Sequence, residues 1–528
     1  MMVAMFVKRT SVRSGGRQLT YLQLVESYRD GDKVRQRVVA KLGREDQLDP
    51  ADIDRLVRSL ASYGTLSVGD SSGLEAAVLH PGLEFGAVLA LNHVWGELGL
   101  PGILRDLAAG RRFAFPVAEV VKAIVFGRVL EPSSERALVK EWLSRVYAPE
   151  FEGIELQHAY RALQFLAEIG PELEARLTSV LTGKLFADAS LVLFDTTSSY
   201  FEGLGPEGLA GFGYSRDQRP DRPQVNLGLL TSREGYPLGH WLFPGRQSDV
   251  KSMALASREF RERLALGSFV VVADRGMISQ ANLEALRADG IDYIIAERLR
   301  RKASHEALSR AGRYQKVTPT IDVKEISRNG TERLILCRNQ ARAEEDKRKR
   351  QAILNHLEQQ LESGSWRDSL KPTARRYLKV DGSNAHIDRG RIKDDARFDG
   401  KWVLRTTTTL PPAEVALAYR GLWRVEDAFR TLKTPLELRP IHHKSEAGVR
   451  GHVQSCVLAY LLTRIIDDRL ETAGLDINAQ AALTELSRIQ RTPIQHAGLT
   501  ITKTTTPDPK QQQILTAIGT LLPAQHAM

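Results

Sequence analysis

Three acidic residues stand in contexts that suit metal-dependent chemistry. Asp195 follows the apolar run LVLF and precedes Thr196, Thr197 and Ser198, and Asp274 follows FVVVA and precedes Arg275 and Gly276. Each reads as a β-strand closing on a carboxylate at a sheet edge, where ligands gather and small hydroxyl residues leave room. Two carboxylates a few Å apart in a partly buried site repel, and one takes up a proton unless a cation separates them. Magnesium takes oxygen ligands, keeps waters and reaches phosphate oxygens. Two such ions about 4 Å apart serve both oxygens of an in-line displacement. A single Asp at a strand end is more often a cap or turn residue; the repeated context is what points to a pair.

The third acid, Glu426, lies in AYRGLWRVEDAFRTLK, which predicts one helix from about Ala413 to Lys433. Tyr419 precedes Glu426 by seven residues and Lys433 follows it by seven. Seven residues fall about 20° short of two turns, so a phenol, a carboxylate and an ammonium share one stripe. Glu426 would complete the metal cage, with Tyr419 and Lys433 on the phosphate backbone at either side of the scissile bond. The plainer reading is an exposed face on which Glu426 pairs with Arg430. Arg424 and Arg430 are further candidates for DNA contact. Trp423 could stack on a displaced base, although packing into a core is the commoner role for tryptophan. Asp249 and the pair His442 and His443 carry less weight, since two adjacent imidazoles without other ligands make a poor zinc site.

The elements that must position these groups fall into six segments. Residues 1–48 hold a β-hairpin, whose alternation over 18–42 turns at Asp30-Gly31. Its second strand puts Lys33, Arg35 and Arg37 on one face, a stripe for phosphates or a plain solvated surface. Residues 49–187 are mainly helical and are the expected DNA-binding domain, with Pro132-Ser133-Ser134 separating two helices that would suit a helix-turn-helix. Residues 188–297 turn to short β-rich runs: three hairpin-like strands, then β-α-β, the order of a ribonuclease-H-like sheet. Residues 298–400 form a charged insertion with KRKR at 347–350, residues 401–475 resume the sheet, and 476–528 give a C-terminal helix and a weakly ordered tail. The expected fold is thus α/β: a mixed sheet interrupted by an insertion, behind a helical region and a hairpin.

Composition agrees with a polyanionic partner. The chain has 528 residues, with 74 Lys and Arg against 64 Asp and Glu, a formal charge of +10, and nucleic acid fits better than a membrane surface. Two cysteines, Cys337 and Cys456, support neither a disulfide framework nor a cysteine metal cluster, and fit a reducing cytoplasm. Neither an export signal nor a spanning helix is legible.

Three blocks resemble a known family: LFDTTSSYFEG at 193–203 with the following GFGYSRDQRPD, VVVADRGMISQANLEAL at 270–286, and YRGLWRVEDAFRTLKTPLELRPIHHKSEAGVRGHV at 419–453. They are similar to the DDE transposases of bacterial insertion sequences, in particular insertion-sequence family 4 and its relative, subgroup 1634. The family's last block reads Tyr, two residues, Arg, three residues, Glu, six residues, Lys. Tyr419, Glu426 and Lys433 match, whereas Leu422 stands at the arginine position. Arg420 and Arg424 point roughly 120° and 160° away from the face of Glu426 and are no simple substitutes.

The resemblance implies Asp195, Asp274 and Glu426 as catalytic and metal-binding residues holding two Mg2+ ions, with Mn2+ as a substitute. It implies hydrolysis at the ends of a mobile element, a free 3′ hydroxyl that attacks target DNA, and no covalent protein-DNA intermediate. The implied partners are terminal inverted repeats, target DNA and a second copy in a homodimer, with no membrane. The implied place is the bacterial cytoplasm, on the nucleoid when bound to DNA. Two other readings stay open: a DNA-binding remnant whose chemistry has decayed, and a stand-alone nuclease on the same core.

Overall fold

The structure is a computed structural model. It describes the chain except residues 1–4, 15–16, 31–32, 62–77, 183, 186–189, 248, 265–268, 278, 298–307, 309–311, 329–331, 367–370, 382–383, 497–498 and 524–528. The described chain divides into two compact units: Met1–His80 with Pro493–Ile501, and Pro81–Thr492 with Thr502–Met528.

The first unit adds a strand to the expected hairpin. β1 (Met5–Ser14), β2 (Arg17–Asp30) and β3 (Lys33–Arg44) form an antiparallel sheet in that order. The apolar residues of β1 do not keep strict period 2, which hides the strand from a pattern reading, whereas its partner register is continuous from Met5 opposite Glu26 to Ser14 opposite Arg17. The turn residues Gly31 and Asp32 lie outside the described residues. Helix α1 (Pro50–Ala61) follows.

In the second unit four helices come first: α2 (Gly86–Glu97), α3 (Leu100–Ala108), α4 (Val117–Leu130) and α5 (Leu156–Leu181). The sequence VAEVVKAIVFGRVL is apolar nearly all round, and α4 is accordingly buried, with even Lys122 and Arg128 enclosed. Between α4 and α5 the expected second helix of a helix-turn-helix is only the turn Glu135–Ala137 and a wide turn Leu138–Trp142, with Leu138 and Trp142 in the core. A recognition helix needs an exposed face several turns long, which this segment does not offer.

The central sheet follows. Its strands are β4 (Leu191–Tyr200), β5 (Gln224–Ser232), β6 (Pro237–Pro244), β7 (Val270–Ala273) and β8 (Asp292–Ala296), then β9 (Gln315–Lys316), β10 (Ile321–Arg328), β11 (Glu332–Asn339) and β12 (Lys401–Thr406). Their spatial order is β9-β10-β11-β12-β8-β7-β4-β5-β6. β4, β7 and β8 are mutually parallel neighbours and the other pairs are antiparallel. Connecting helices α6 (Asp249–Leu264) and α7 (Gln280–Ala288) supply the crossovers that parallel strands require. Part of the 298–400 segment therefore belongs to the sheet: β10 and β11 extend it beyond β12, and α8 (Gln340–Glu362) leads away from β11.

Helices α9 (Pro412–Arg420), α10 (Trp423–Lys433) and α11 (Glu446–Thr472) complete the core. α11 packs closely on α5, where a Cβ at Gly451 would lie 2.0 Å from the Leu163 carbonyl oxygen. Only glycine permits that approach. The C-terminal segment is better ordered than its Thr-, Pro- and Gln-rich composition suggests. Asp508 and Gln511 form a capping box that starts α12 (Pro509–Ile518), and Ile514, Leu515 and Ile518 are buried.

Candidate active site

β4 does not end at Asp195 as its apolar run suggests; it continues to Tyr200, paired with β5 throughout. What ends is its parallel neighbour. The last β4–β7 partners are Leu193 and Val272, and two residues further along each chain stand Asp195 and Asp274. Equal steps past the last pair bring these two residues to the same end of the two strands, where β7 leaves the sheet.

Asp195 is held from several directions. Its Oδ1 accepts the Thr196 N–H at 2.7 Å, and Arg216 Nη1 stands 3.8 Å away. Arg216 comes from the loop after β4. Its backbone N–H donates to Ser198 Oγ at 2.9 Å and its Nη2 to Thr196 Oγ1 at 3.2 Å, so the hydroxyls that follow Asp195 anchor the guanidinium. Burial pushes the Asp195 carboxyl up to about 6, Arg216 and the Thr196 N–H pull it down, and the negative charges of Asp274 and Glu426 raise it again. Asp195 therefore feels the charges of the other two acids. Asp274 and Glu426 are exposed, while Asp195 is half-buried.

The single helix expected from Ala413 to Lys433 is two. At Gly421 and Leu422 the backbone tightens to i→i+3 bonds: Leu422 N–H to Tyr419 O at 3.2 Å and Arg424 N–H to Gly421 O at 2.9 Å. Leu422 is buried, and a Cβ at Gly421 would stand 3.0 Å from the Ala418 carbonyl oxygen and 3.7 Å from Leu193 on β4. The helix is interrupted at this junction, which lies against the strand that carries Asp195. Tyr419, Glu426 and Lys433 thus do not run along one unbroken stripe.

They nonetheless reach the same region by separate contacts. The Tyr419 hydroxyl donates to Asp274 Oδ1 at 2.9 Å, and burial with the Asp274 charge raises its pKa. Lys433 is turned inward, donating to Asp217 Oδ1 at 2.8 Å, and Arg439 approaches the same oxygen at 3.1 Å. Burial lowers the Lys433 pKa. Arg430 pairs with Asp427 at 3.0 Å rather than with Glu426, and among the described residues no hydrogen bond or ion pair engages the Glu426 side chain. Trp423 is 55% exposed, so it is no core residue; Arg424 lies over its ring at 5.4 Å.

From Asp274 a cleft of about 920 Å3 runs along α8 to Phe398 and Lys401. Arg275, Arg342, Lys349, Arg350, Arg376 and Lys401 line it against four aspartates, so the KRKR run contributes Lys349 and Arg350 to this wall. Arg350 is tied to Asp399, with Nη2 to Oδ2 at 2.6 Å.

The remaining candidates lie apart from this arrangement. Arg37 pairs with Glu26 at 2.6 Å and Arg35 is exposed on β3, whereas the side chains of Lys33 and Asp249 lie outside the described residues. His442 is exposed, and His443 meets Glu135 and His452 away from the three acids. Sequence reading missed Arg216 and Asp217, although both lie in the quoted block GYSRDQRPD. An adjacent Arg-Asp pair in a polar loop looks like solvated surface until the fold seats it on β4.

Among the described residues no single helix is long and apolar enough to cross a membrane.

Residues 7–66 match the family described as "IS1634 family transposase, N-terminal domain", and residues 186–462 match "Transposase DDE domain". No curated protein matches the chain. Among solved structures the chain is similar to a piggyBac transposase synaptic complex with hairpin DNA, at 9% identity and a TM-score of 0.38 over 76% of this chain and 79% of that one. The second match spans more than half of the 528 residues and contains all three acids, and the chain accordingly belongs to the DDE transposases, with the N-terminal domain of the IS1634 family.

Proposed function

We propose that this transposase cleaves the terminal inverted repeats of its insertion sequence and joins the freed 3′ hydroxyls to target DNA through Asp195, Asp274 and Glu426. The observation that carries the reading is that Asp195 feels the charges of Asp274 and Glu426 where β7 leaves β4. Three carboxylates offering hard oxygen donors suit Mg2+, with Mn2+ as a substitute, better than a softer metal. Two divalent ions held there would neutralise charge on the attacking and leaving oxygens of an in-line displacement.

The protein's own groups have separate parts. Tyr419 orients Asp274 through its hydroxyl. Arg216 takes the role of phosphate contact that Leu422 cannot fill, presenting a fixed guanidinium beside Asp195. Lys433 acts through Asp217, holding the loop that carries Arg216 rather than meeting phosphate itself. Exposed Trp423, with Arg424 and Arg430 on the same helix, offers a stacking and charge surface to DNA. The five strands β6-β5-β4-β7-β8 supply a ribonuclease-H-like scaffold, extended by β10 and β11. Two copies bridge the two DNA ends.

End-labelled repeat DNA, purified protein, Mg2+ and a target plasmid test this. Cleaved 3′ ends that become joined to the plasmid are the expected products, and Asp195→Asn should give neither. Parental cleavage by Asp195→Asn would dismiss the assigned site, and cleavage that never leads to joining would favour the stand-alone nuclease.

A further inference from the structure

Glu135, His443 and His452 come from three separate parts of the second unit. Glu135 sits in the turn after α4, His443 in the loop after α10, and His452 in α11. One ligand-capable atom of each lies within 4.8 Å of the others. Glu135 and His452 are 6% and 4% exposed, so this is an enclosed cluster rather than a surface coincidence.

The donors are left ready for a further partner. His452 Nε2 lies 3.1 Å from the Leu438 carbonyl oxygen, an acceptor only, so Nε2 carries the proton and Nδ1 keeps its lone pair. Among the described residues that Nδ1 is buried with no hydrogen-bond partner, and so is Glu135 Oε1. Leaving such atoms without a hydrogen bond is costly. Glu135 Oε1 stands within ion-pair reach of His443 Nε2 at 3.6 Å and Arg128 Nη2 at 3.7 Å, both beyond hydrogen-bonding distance. Bonds of about 2.0–2.2 Å to a tetrahedral ion set ligand atoms roughly 3.4 Å apart, close to the Glu135–His443 spacing. A ring nitrogen fixed by a backbone carbonyl, opposite a free one, is the usual support of a metal-bound histidine.

We propose that Glu135, His443 and His452 bind a transition-metal dication, with Zn2+ as the matching ion, at a site separate from the three catalytic acids. Two imidazoles and one carboxylate select zinc over magnesium, which prefers oxygen throughout. Arg128 supports the carboxylate from outside the ligand set. A cavity of about 430 Å3 adjoins the cluster and leaves room for a water as fourth ligand.

The ion would act as a staple. Ile441, two residues before His443, exchanges backbone hydrogen bonds with the end of β4: its N–H donates to Tyr200 O at 3.0 Å and its carbonyl accepts from Glu202 N–H at 2.9 Å. Arg439 in the same loop, like Lys433, holds Asp217 beside Arg216. Zinc would pin this loop to the helical region through Glu135.

The full-length chain, loaded with Zn2+ and desalted, should retain about one zinc per chain by elemental mass spectrometry. The double variant Asp195→Asn/Asp274→Asn should retain as much, and Glu135→Gln and His443→Gln should fall to background. Because His452 is deeply buried, His443→Gln is the safer variant; its circular dichroism should match the parent while its Tm no longer rises by a few degrees with Zn2+. Zinc lost from the Asp195/Asp274 variant but kept by His443→Gln would overturn the proposal, as would a parent chain that holds none.

Discussion

The Tyr419 hydroxyl donates to Asp274 Oδ1 at 2.9 Å, joining the end of α9 to the exit of β7. On the proposed function the phenol orients Asp274, and its expected contact with the phosphate backbone is the alternative to be tested. A neutral bond to a carboxylate is worth about 1–2 kcal/mol. Tyr419→Phe should slow single-turnover cleavage about tenfold, with repeat-DNA affinity within a factor of two or so. A loss carried wholly by affinity would return Tyr419 to the role of phosphate contact.

Asp195 links stability to pH. Its folded-state value of about 6 lies above the ordinary 3.8, chiefly through burial. Its contribution to stability is complete below about pH 4 and is lost as pH rises through about 6, because the unfolded chain ionises first. The loss is about 2–3 kcal/mol. Without divalent ions, Asp195→Asn should therefore melt above the parent at pH 7.5 and with it near pH 4. Magnesium should narrow the gap at pH 7.5 by stabilising the parent alone. Equal melting at both pH values without metal would mean that the carboxyl is not strained.

Arg216 and Leu422 make a paired test. Removing one preorganised cation beside a reacting phosphate costs about 10²–10³ in rate. Arg216→Ala should lose that much cleavage while still binding repeat DNA. Leu422→Arg, although it restores the family residue, should not rescue it, since position 422 is buried at the α9–α10 junction. Rescue would show that the family arginine can still reach the phosphate here.

Asp217 holds Lys433 and Arg439 together with its side chain 4% exposed. Removing it strands two partly buried cations, at a cost of about 3–5 kcal/mol. Asp217→Ala should unfold at markedly lower denaturant than the parent, and the double variant Asp217→Ala/Lys433→Met should recover part of the loss. Parental stability in Asp217→Ala would deny the loop this anchor.

Trp423, at 55% exposed, should add little to folding and more to DNA. Stacking on a base is worth about 1–3 kcal/mol. Trp423→Ala should weaken binding to repeat ends bearing unpaired bases at least fivefold while Tm holds. A drop in Tm with binding intact would instead assign it to packing.

Much of this protein was legible in its residues because the signals are local. Short continuous apolar runs located β4, β7 and β8, and each delivers its acid or neighbour from one short stretch of chain. The spacing around Glu426 marked a helix with a charged face. The order of three hairpin-like strands before β-α-β is also written in consecutive segments.

Tertiary structure decided the rest, because it rests on contacts between distant residues. One expected helix became two at Gly421 and Leu422, where Gly421 lies against Leu193, more than two hundred positions away. Arg216 became a partner of Asp195 only when the hydroxyls of β4 seated its loop. β10 and β11 joined the main sheet because β12 offered an edge to pair with, which no local pattern announces. Glu135, His443 and His452 span more than three hundred residues of sequence and meet only in the fold. A sequence names the chemical groups and the periods that carry them; which groups become neighbours depends on how the packed elements close against one another.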